Sequence, residues 1–152
     1  MGVANQSLQQ TMLSFQETNL PTSITALRPE LAALSVWIFA HVIRGLENST
    51  FTRIEVRLRD MARLGREIPS MRDELLLQLV KQLGNNPHPN NTDRLWRCLA
   101  CSLAHFPPSS EFENYLELHL FETVEGFEKE IAAERATLAK VGEVPVLSLI
   151  HI

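Results

Sequence analysis

The stretch of sequence that decides the fold runs from Met71 to Leu120 and reads MRDELLLQLVKQLGNNPHPNNTDRLWRCLACSLAHFPPSSEFENYLELHL. Its first third repeats an apolar residue once per helical turn, at Met71, Leu75, Leu79 and Leu83. Gly84 ends this pattern, and residues 85–91, rich in Asn and Pro, follow as a loop. A second helical pattern then carries the large side chains Leu95, Trp96, Leu99 and Leu103. Residues 106–109 break it, so the stretch predicts a helix–loop–helix unit.

The flanking sequence also has helical spacing. Leu31–Leu46 is apolar on almost every side, which is typical of a central, buried helix, and Pro29 stands where a helix can begin. Arg53–Leu64 is amphipathic, and Gly65 is predicted to end that helix in the left-handed conformation. Residues 123–141 are acidic around a thin apolar stripe of Val124, Phe127, Ile131 and Leu138. No stretch alternates like a strand, so we predict an all-α fold, a compact bundle of about six or seven helices.

Two short motifs predict where helices begin. Ser70 with Asp73, and Ser110 with Glu113, have the spacing of a capping box, in which two side chains satisfy free N–H groups of the first turn. We expect three side chains behind the second box to face inward: Phe112, Tyr115 and Leu116.

Composition limits the class of protein. The chain has 152 residues, of which 45% are hydrophobic and 21% are charged, values typical of one globular domain. Its net charge of −4 argues against a dedicated nucleic-acid binder. Residues 1–7 lack the features of a signal peptide, and Leu31–Leu46 is shorter than a usual membrane span. We therefore expect an intracellular protein without membrane insertion.

The order of short motifs in the deciding stretch resembles the myosin tail homology 4 domain. The signature of that family consists of RDE, an apolar run, KQ, NP, RxW and FPPS. The matching residues here are Arg72, Asp73, Glu74, Lys81, Gln82, Asn86, Pro87, Arg94, Trp96, Phe106, Pro107, Pro108 and Ser109. The match is specific because order and spacing fit together. Leu95 replaces the Gly that the family usually has inside RxW, and the likeness covers Met12 to Leu120.

The residues of this signature have structural roles that can be read without the family. Trp96 lies at helical spacing from Leu99 and is predicted to anchor the core. Asp73 and Glu74 lie in a first helical turn, where carboxylates complement the helix dipole. Residues 106–108 end one helix and redirect the chain into the next. The signature therefore predicts a fold more directly than it predicts a binding site.

The resemblance implies a non-catalytic interaction module, as in the tails of unconventional myosins, plant-type kinesins and some Rho GTPase-activating proteins. The partners it implies are microtubules (tubulin) or cargo tails, with a FERM domain that can follow in the parent chain. It also implies a cytoplasmic, cytoskeleton-associated location. The alternative is a structural scaffold or adaptor that pairs through its acidic last helix and does not bind microtubules.

Five arginines form the charge pattern that we interpret as a binding surface, called here the basic stripe: Arg53, Arg57, Arg59, Arg63 and Arg66. On a helix the last three fall on one side, and the first two form a second group. The pattern is either a solvated face with local ion pairs or a surface that docks on an acidic partner. Family members in motor tails bind microtubules through basic patches, so the resemblance favours docking. Residues 111–134, with eight glutamates and one lysine, would repel tubulin.

The residues that could carry chemistry are scattered. Cys98 and Cys101 form a CxxC in the middle of a helix, without the second pair of ligands that zinc needs. The histidines show no catalytic or metal-binding spacing, and no glycine-rich phosphate loop is present. We therefore expect no catalytic, cofactor or metal site, and predict that the protein is not an enzyme.

The last six residues, Leu147–Ile152, are apolar and uncharged. They are also the translation of CTG TCT CTT ATA CAC ATC, the transposase end sequence used to build sequencing libraries. We therefore expect an N-terminal extension over 1–11, a C-terminally incomplete helical domain over 12–146, and an adapter-derived scar over 147–152. The alternative is a native tail that docks in an apolar groove.

Overall fold

The computed structural model of the protein describes residues 13–47 and 51–141. These residues form five helices and no strand, which confirms the all-α prediction. The predicted number of six or seven helices is slightly too high, because residues 110–120 and 123–141 form one helix and not two. The proposed extension over 1–11 and the proposed scar over 147–152 lie outside the described residues.

Helix α1 contains a wider turn in its middle. It is α-helical over Pro29–Ile38, forms a π-helical turn over Phe39–Ile43, and is α-helical again over Arg44–Glu47. In the π turn the N–H of Arg44 donates to the C=O of Phe39, five residues earlier. Pro29 opens the helix because a first-turn N–H would have no partner within the helix.

Four further helices follow α1. They are α2 (Phe51–Glu67), α3 (Arg72–Leu83), α4 (Pro89–His105) and α5 (Ser110–Val141). A short 3-10 turn over Pro69–Met71 leads into α3. The chain divides into two compact units, the first ending at Ser109 and the second beginning at Ser110. The first unit contains α1 to α4, and the second contains α5.

Helix α4 lies at the centre of the first unit. It packs against α2, against α3 and against the last α-helical segment of α1. The largest fully buried side chains of this unit are Ile38, Phe39, Ile43, Leu46, Met61, Met71, Leu75, Leu76, Leu79, Leu95, Leu99 and Phe106. This core draws on every helix of the unit, so each helix contributes to the stability of the others.

The prediction of an all-round buried first helix is only partly correct. Ile38 and Phe39 are fully buried, but Trp37 keeps 55% of its surface exposed. Among the described residues, Pro29–Leu46 is the helix that is long and apolar enough to cross a membrane, a test that the core helix of a folded domain also passes. The sequence argument that this stretch is too short to span a membrane was therefore wrong. The evidence for a core helix is instead the full burial of residues such as Ile43.

Gly65 does not end α2, contrary to the prediction. The helix continues through Gly65 to Glu67, and the ring of Phe106 packs so closely on Gly65 that a Cβ there would overlap it. The described residue with left-handed backbone is Asn85, with a φ of 55°. Gly65 therefore allows a close approach between α2 and the chain beyond α4, and it does not cap a helix.

Candidate functional site

Four polar side chains form a buried row along one face of α3. This α3 polar row consists of Glu74, Gln78, Lys81 and Gln82, at spacings of four, three and one residues. Buried polar groups need hydrogen-bond partners, because an unpaired one costs free energy on folding. Residues 13–28, called here the N-terminal segment, supply several of these partners, and Ser35 of α1 supplies another.

Glu74 accepts four hydrogen bonds. Its carboxylate accepts hydrogen bonds from the backbone N–H of Ile24 at 2.8 Å and from the backbone N–H of Thr25 at 2.7 Å. It also accepts one from the Thr25 hydroxyl at 2.8 Å and one from the Gln78 amide at 3.1 Å. The same Gln78 amide donates to the C=O of Ser35 in α1, at 3.0 Å. Glu74 therefore joins the N-terminal segment to α3 through a buried charge.

Lys81 and Gln82 hold the beginning of the N-terminal segment. The Lys81 ammonium donates to the C=O of Ser14 at 2.8 Å, and burial lowers the pKa of Lys81. The Gln82 amide both accepts from the N–H of Gln16 and donates to its C=O, each at 3.1 Å, as a neighbouring strand would. The C=O of Gly84 accepts from the N–H of Phe15 at 2.7 Å, and a Cβ on Gly84 would overlap the backbone of this segment.

The N-terminal end of α3 is joined to the end of the first unit. The Arg72 guanidinium donates to the C=O of Gly65 at 2.6 Å. Asp73 accepts from the backbone N–H of Ser109 at 2.8 Å and from its hydroxyl at 2.5 Å. The predicted capping box of Ser70 and Asp73 is therefore wrong. The helix begins without a side-chain cap, and Asp73 instead stabilises a residue 36 positions later.

The remaining motif residues have local or packing contacts. Asn86 donates to the C=O of Gln82 at 2.8 Å and accepts from the N–H of His88 at 2.9 Å, which shapes the loop around Pro87. Arg94 donates to the C=O of Leu46, at 3.2 Å. Trp96 is only partly buried, whereas Leu95 beside it is fully buried, so the predicted core position falls one residue earlier.

Phe106 is almost fully buried, and Pro107 and Pro108 lie between the end of α4 and the start of α5. With residues 69, 70, 72, 73 and 109, the two prolines line a surface cleft in the first unit. Five signature residues that are distant in the sequence, Arg72, Asp73 and residues 107–109, therefore meet at this cleft.

The basic stripe lies on α2, and the structure divides it. Arg59, Arg63 and Arg66 fall on one side of the helix and are exposed, as is Arg53. Arg63 forms an ion pair with Glu67 at 3.0 Å, which raises its pKa through a side-chain hydrogen bond. Four of the five stripe residues are therefore exposed, and one of them, Arg63, already has an acidic partner.

Arg57 does not belong to that surface. Its guanidinium lies over Gly45 and donates a hydrogen bond to the C=O of His41, so it fastens α2 to α1. The His41 ring packs against Trp37 with 4.8 Å between ring centroids and a tilt of 39° between ring planes, on the exposed side of α1. Sequence reasoning missed this aromatic pair. Its only signal was a Trp and a His four residues apart in an apolar helix, a spacing that places them on one face.

The second unit presents a long, acidic and largely exposed helix. Phe112 and Leu116 near its start are buried, whereas Tyr115 is 38% exposed, so the prediction that Tyr115 faces inward was wrong. Six large apolar side chains farther along α5 are exposed: Leu118, Phe121, Val124, Phe127, Ile131 and Leu138. They lie among exposed glutamates, so this helix has an uncovered apolar side within an acidic surface.

Among the described residues, the cysteines and histidines that could carry chemistry are not arranged as a reactive site. Burial raises the pKa of the Cys98 thiol to about 12, which keeps it protonated and a poor nucleophile. Cys101 lies near His105, whose ring Nδ1 is 2.8 Å from the Cys101 carbonyl oxygen. Within residues 13–47 and 51–141 no group of three or more His, Cys, Asp or Glu side chains could hold a metal ion.

Comparison with known proteins gives this arrangement a family. A family model described as the MyTH4 domain matches residues 58–141, which is more than half of the chain. The high molecular weight form of myosin-1 from Acanthamoeba castellanii is 28% identical over 118 residues, which cover 78% of this chain and 8% of that protein. Kinesin-like protein KIN-14I from Oryza sativa subsp. japonica is 28% identical over 110 residues, 69% of this chain and 9% of that protein. Unconventional myosin-XV from Homo sapiens is 33% identical over 99 residues, 64% of this chain and 3% of that protein.

A solved structure is similar as well. The MyTH4-FERM MF1 domain of Dictyostelium discoideum myosin VII, mutant 2, matches with a TM-score of 0.66 and 25% identity, covering 72% of this chain and 23% of that chain. The chain belongs to the MyTH4 domain family, and it spans less than a tenth of the length of the curated relatives it matches. The recognition from sequence is confirmed, although the family match continues past Leu120 to residue 141. In myosin and kinesin tails this domain is a non-catalytic interaction module.

Proposed function

We propose that this MyTH4 domain docks a cytoplasmic motor or signalling protein onto microtubules or cargo tails. The observation that carries the proposal is the group of exposed arginines on α2, held on a helix whose other side is buried. The curated relatives are myosins and kinesin-like proteins, which supports a cytoskeletal setting. The similar myosin VII structure includes a FERM domain, and a FERM domain following in the parent chain is part of this proposal.

The arginines suit an acidic surface for two reasons. Arg59 and Arg66 lie on the same side of α2 and are exposed, so their guanidinium groups can reach carboxylates of a partner. The helix beneath them is fixed by the buried side chains of Met61 and Ala62, so little ordering is needed on binding. Contacts of this kind are screened by salt, and the binding should weaken as ionic strength rises.

Charge reversal on α2 tests the proposal. In Arg59→Glu/Arg66→Glu we expect the affinity for microtubules to fall by at least about tenfold in co-sedimentation at low salt. The matched control is Arg28→Glu/Lys129→Glu, which changes the net charge equally at two exposed cations outside α2. The proposal requires the control to bind like the wild type. Unchanged binding of the α2 variant would remove the basic stripe as the docking surface.

A second function is favoured by a separate observation, the exposed apolar side of α5. In this alternative the domain is a scaffold or adaptor that pairs with another chain through its acidic last helix. An apolar stripe of this length on an exposed helix is typical of a protein contact surface. The two functions use different helices, so the α2 variant separates them: the adaptor function keeps its full affinity in Arg59→Glu/Arg66→Glu.

A further inference from the structure

Five apolar side chains on α5 follow a heptad spacing, and we call them the α5 seam: Leu120, Val124, Phe127, Ile131 and Leu138. The intervals between them are four, three, four and seven residues, which keeps them on one side of the helix. Leu120 is partly exposed, and the other four are between 44% and 55% exposed. A helix with such a seam gains stability when a second helix covers it.

The residue types of the seam match the pattern of two parallel helices in part. Val124, Ile131 and Leu138 occupy the first apolar position of successive heptads, and Leu120 and Phe127 occupy the second. β-Branched residues at the first position with leucine at the second are typical of parallel two-stranded coiled coils, and Val124, Ile131 and Leu120 follow this pattern. Glu134 takes the next second position, so the seam contains one charged layer.

The charges beside the seam are complementary to those of a second copy of the same helix. Glu130 and Arg135 flank the seam on opposite sides, five residues apart, and both are exposed. In a parallel pair of identical helices, Glu130 of each copy meets Arg135 of the other, giving two attractive contacts by symmetry. In an antiparallel pair each side faces itself, so Glu128 of one copy can meet Arg135 of the other, whereas Glu130 lies on a side without a basic residue. Only the parallel pair therefore gives Glu130 an attractive contact.

We propose that α5 pairs in parallel with α5 of a second copy of this chain, through the α5 seam and the Glu130–Arg135 contacts. The inference rests on the second function proposed above and names the partner of that surface. Because Glu134 meets its own copy within the seam, the dimer is weak and its population depends on concentration. A leucine at this position removes the charged layer and strengthens the dimer.

Sedimentation equilibrium of the full chain over a range of concentrations tests the seam. We expect a monomer–dimer equilibrium for the wild type, a monomer for Ile131→Glu, and a tighter dimer for Glu134→Leu. Ala136→Glu is the matched control, because Ala136 lies on the side of α5 opposite the seam and the change adds the same charge. Helix content by circular dichroism shows that each variant is folded. A wild type that is monomeric at every concentration overturns the proposal.

Charge exchange tests the identity and direction of the partner. Arg135→Glu and Glu130→Arg each create like-charge contacts in a parallel homodimer, and we expect the dissociation constant to rise about tenfold in each. The double variant Glu130→Arg/Arg135→Glu restores the contacts and should regain the wild-type constant. If the double variant does not recover, α5 does not pair in parallel with its own copy.

An apolar dye that binds exposed hydrophobic surface separates failure of the homodimer from failure of pairing in general. One outcome is a monomeric wild type that binds the dye, together with an Ile131→Glu variant that does not. The seam is then open to a different chain, and only the homodimer proposal fails. A monomeric wild type that does not bind the dye has no open seam, and both the homodimer and the adaptor function fail. A dimer whose dye binding falls as concentration rises supports both.

Discussion

Helices α3 and α5 are both rich in charged and polar side chains, but they use them in opposite ways. In α3 the charges of Glu74 and Lys81 are buried and bonded to backbone groups far away in the sequence. In α5 the glutamates of residues 117–134 are exposed, and so are most of the large apolar side chains. The comparison shows that the number of charges on a helix does not decide whether it lies in a core. A helix with charged side chains can lie in a core when backbone groups of another segment are close enough to form hydrogen bonds with those side chains.

Replacing a glycine by alanine should have opposite effects on stability in the first unit and in α5. This is the largest effect that we expect. Gly65→Ala places a Cβ against the ring of buried Phe106, and we expect a loss of about 3 kcal/mol in the free energy of unfolding. Gly126→Ala has no heavy atom within 4 Å of the new Cβ, and alanine should stabilise α5 by up to about 1 kcal/mol. Denaturant unfolding and the helix content of both variants provide the check. Equal effects at the two positions would contradict the close packing at Gly65.

Neutralising a glutamate on each helix sharpens the same contrast. Glu74→Gln replaces one carboxylate oxygen, which accepts hydrogen bonds from the N-terminal segment, by an NH2 group that can only donate. We expect the free energy of unfolding to fall by about 2 kcal/mol. Glu128→Gln is the matched control on α5, where the side chain is exposed and the expected change is within about 0.5 kcal/mol. Thermal unfolding of the two variants measures the difference. A Glu74 variant as stable as the control would show that the N-terminal segment is not held by Glu74.

The smallest expected effect concerns an exposed glutamate that has an ion-pair partner. Glu67→Gln breaks the exposed ion pair with Arg63 on α2 and should cost at most about 0.5 kcal/mol. The released Arg63 can then join Arg59 and Arg66, so microtubule co-sedimentation at low salt should increase by a factor of about two to three. Reduced binding would show that Arg63 does not contribute to docking.

Local features of the fold could be predicted from the sequence. The helices around Leu75 and Leu99 follow directly from apolar spacing, and the break at residues 106–109 follows from two consecutive prolines. The motif order also identified the family, because several short elements in fixed order are far more specific than any one of them.

Features that depend on distant contacts could not be predicted. Gly65 has the sequence context of a helix end, and only the ring of Phe106, 41 residues later, explains it within α2. Asp73 has the spacing of a capping residue, but its hydrogen bonds go to Ser109. Arg57 and Arg59 are equivalent in a charge pattern, and only the position of α1 shows that Arg57 turns toward the C=O of His41. In each case a long-range partner competes with the local signal and prevails.

Hydrogen exchange of the full chain, followed by mass spectrometry at low and high protein concentration, tests the contrast between α3 and α5 most directly. We predict that peptides of α3 exchange slowest at both concentrations, because their amides open only when the first unit unfolds. Peptides of residues 120–138 should exchange far faster at low concentration and slow down at high concentration, as the α5 seam becomes covered. Exchange of these residues as slow as that of α3 at the lowest concentration would contradict an exposed, unpartnered α5.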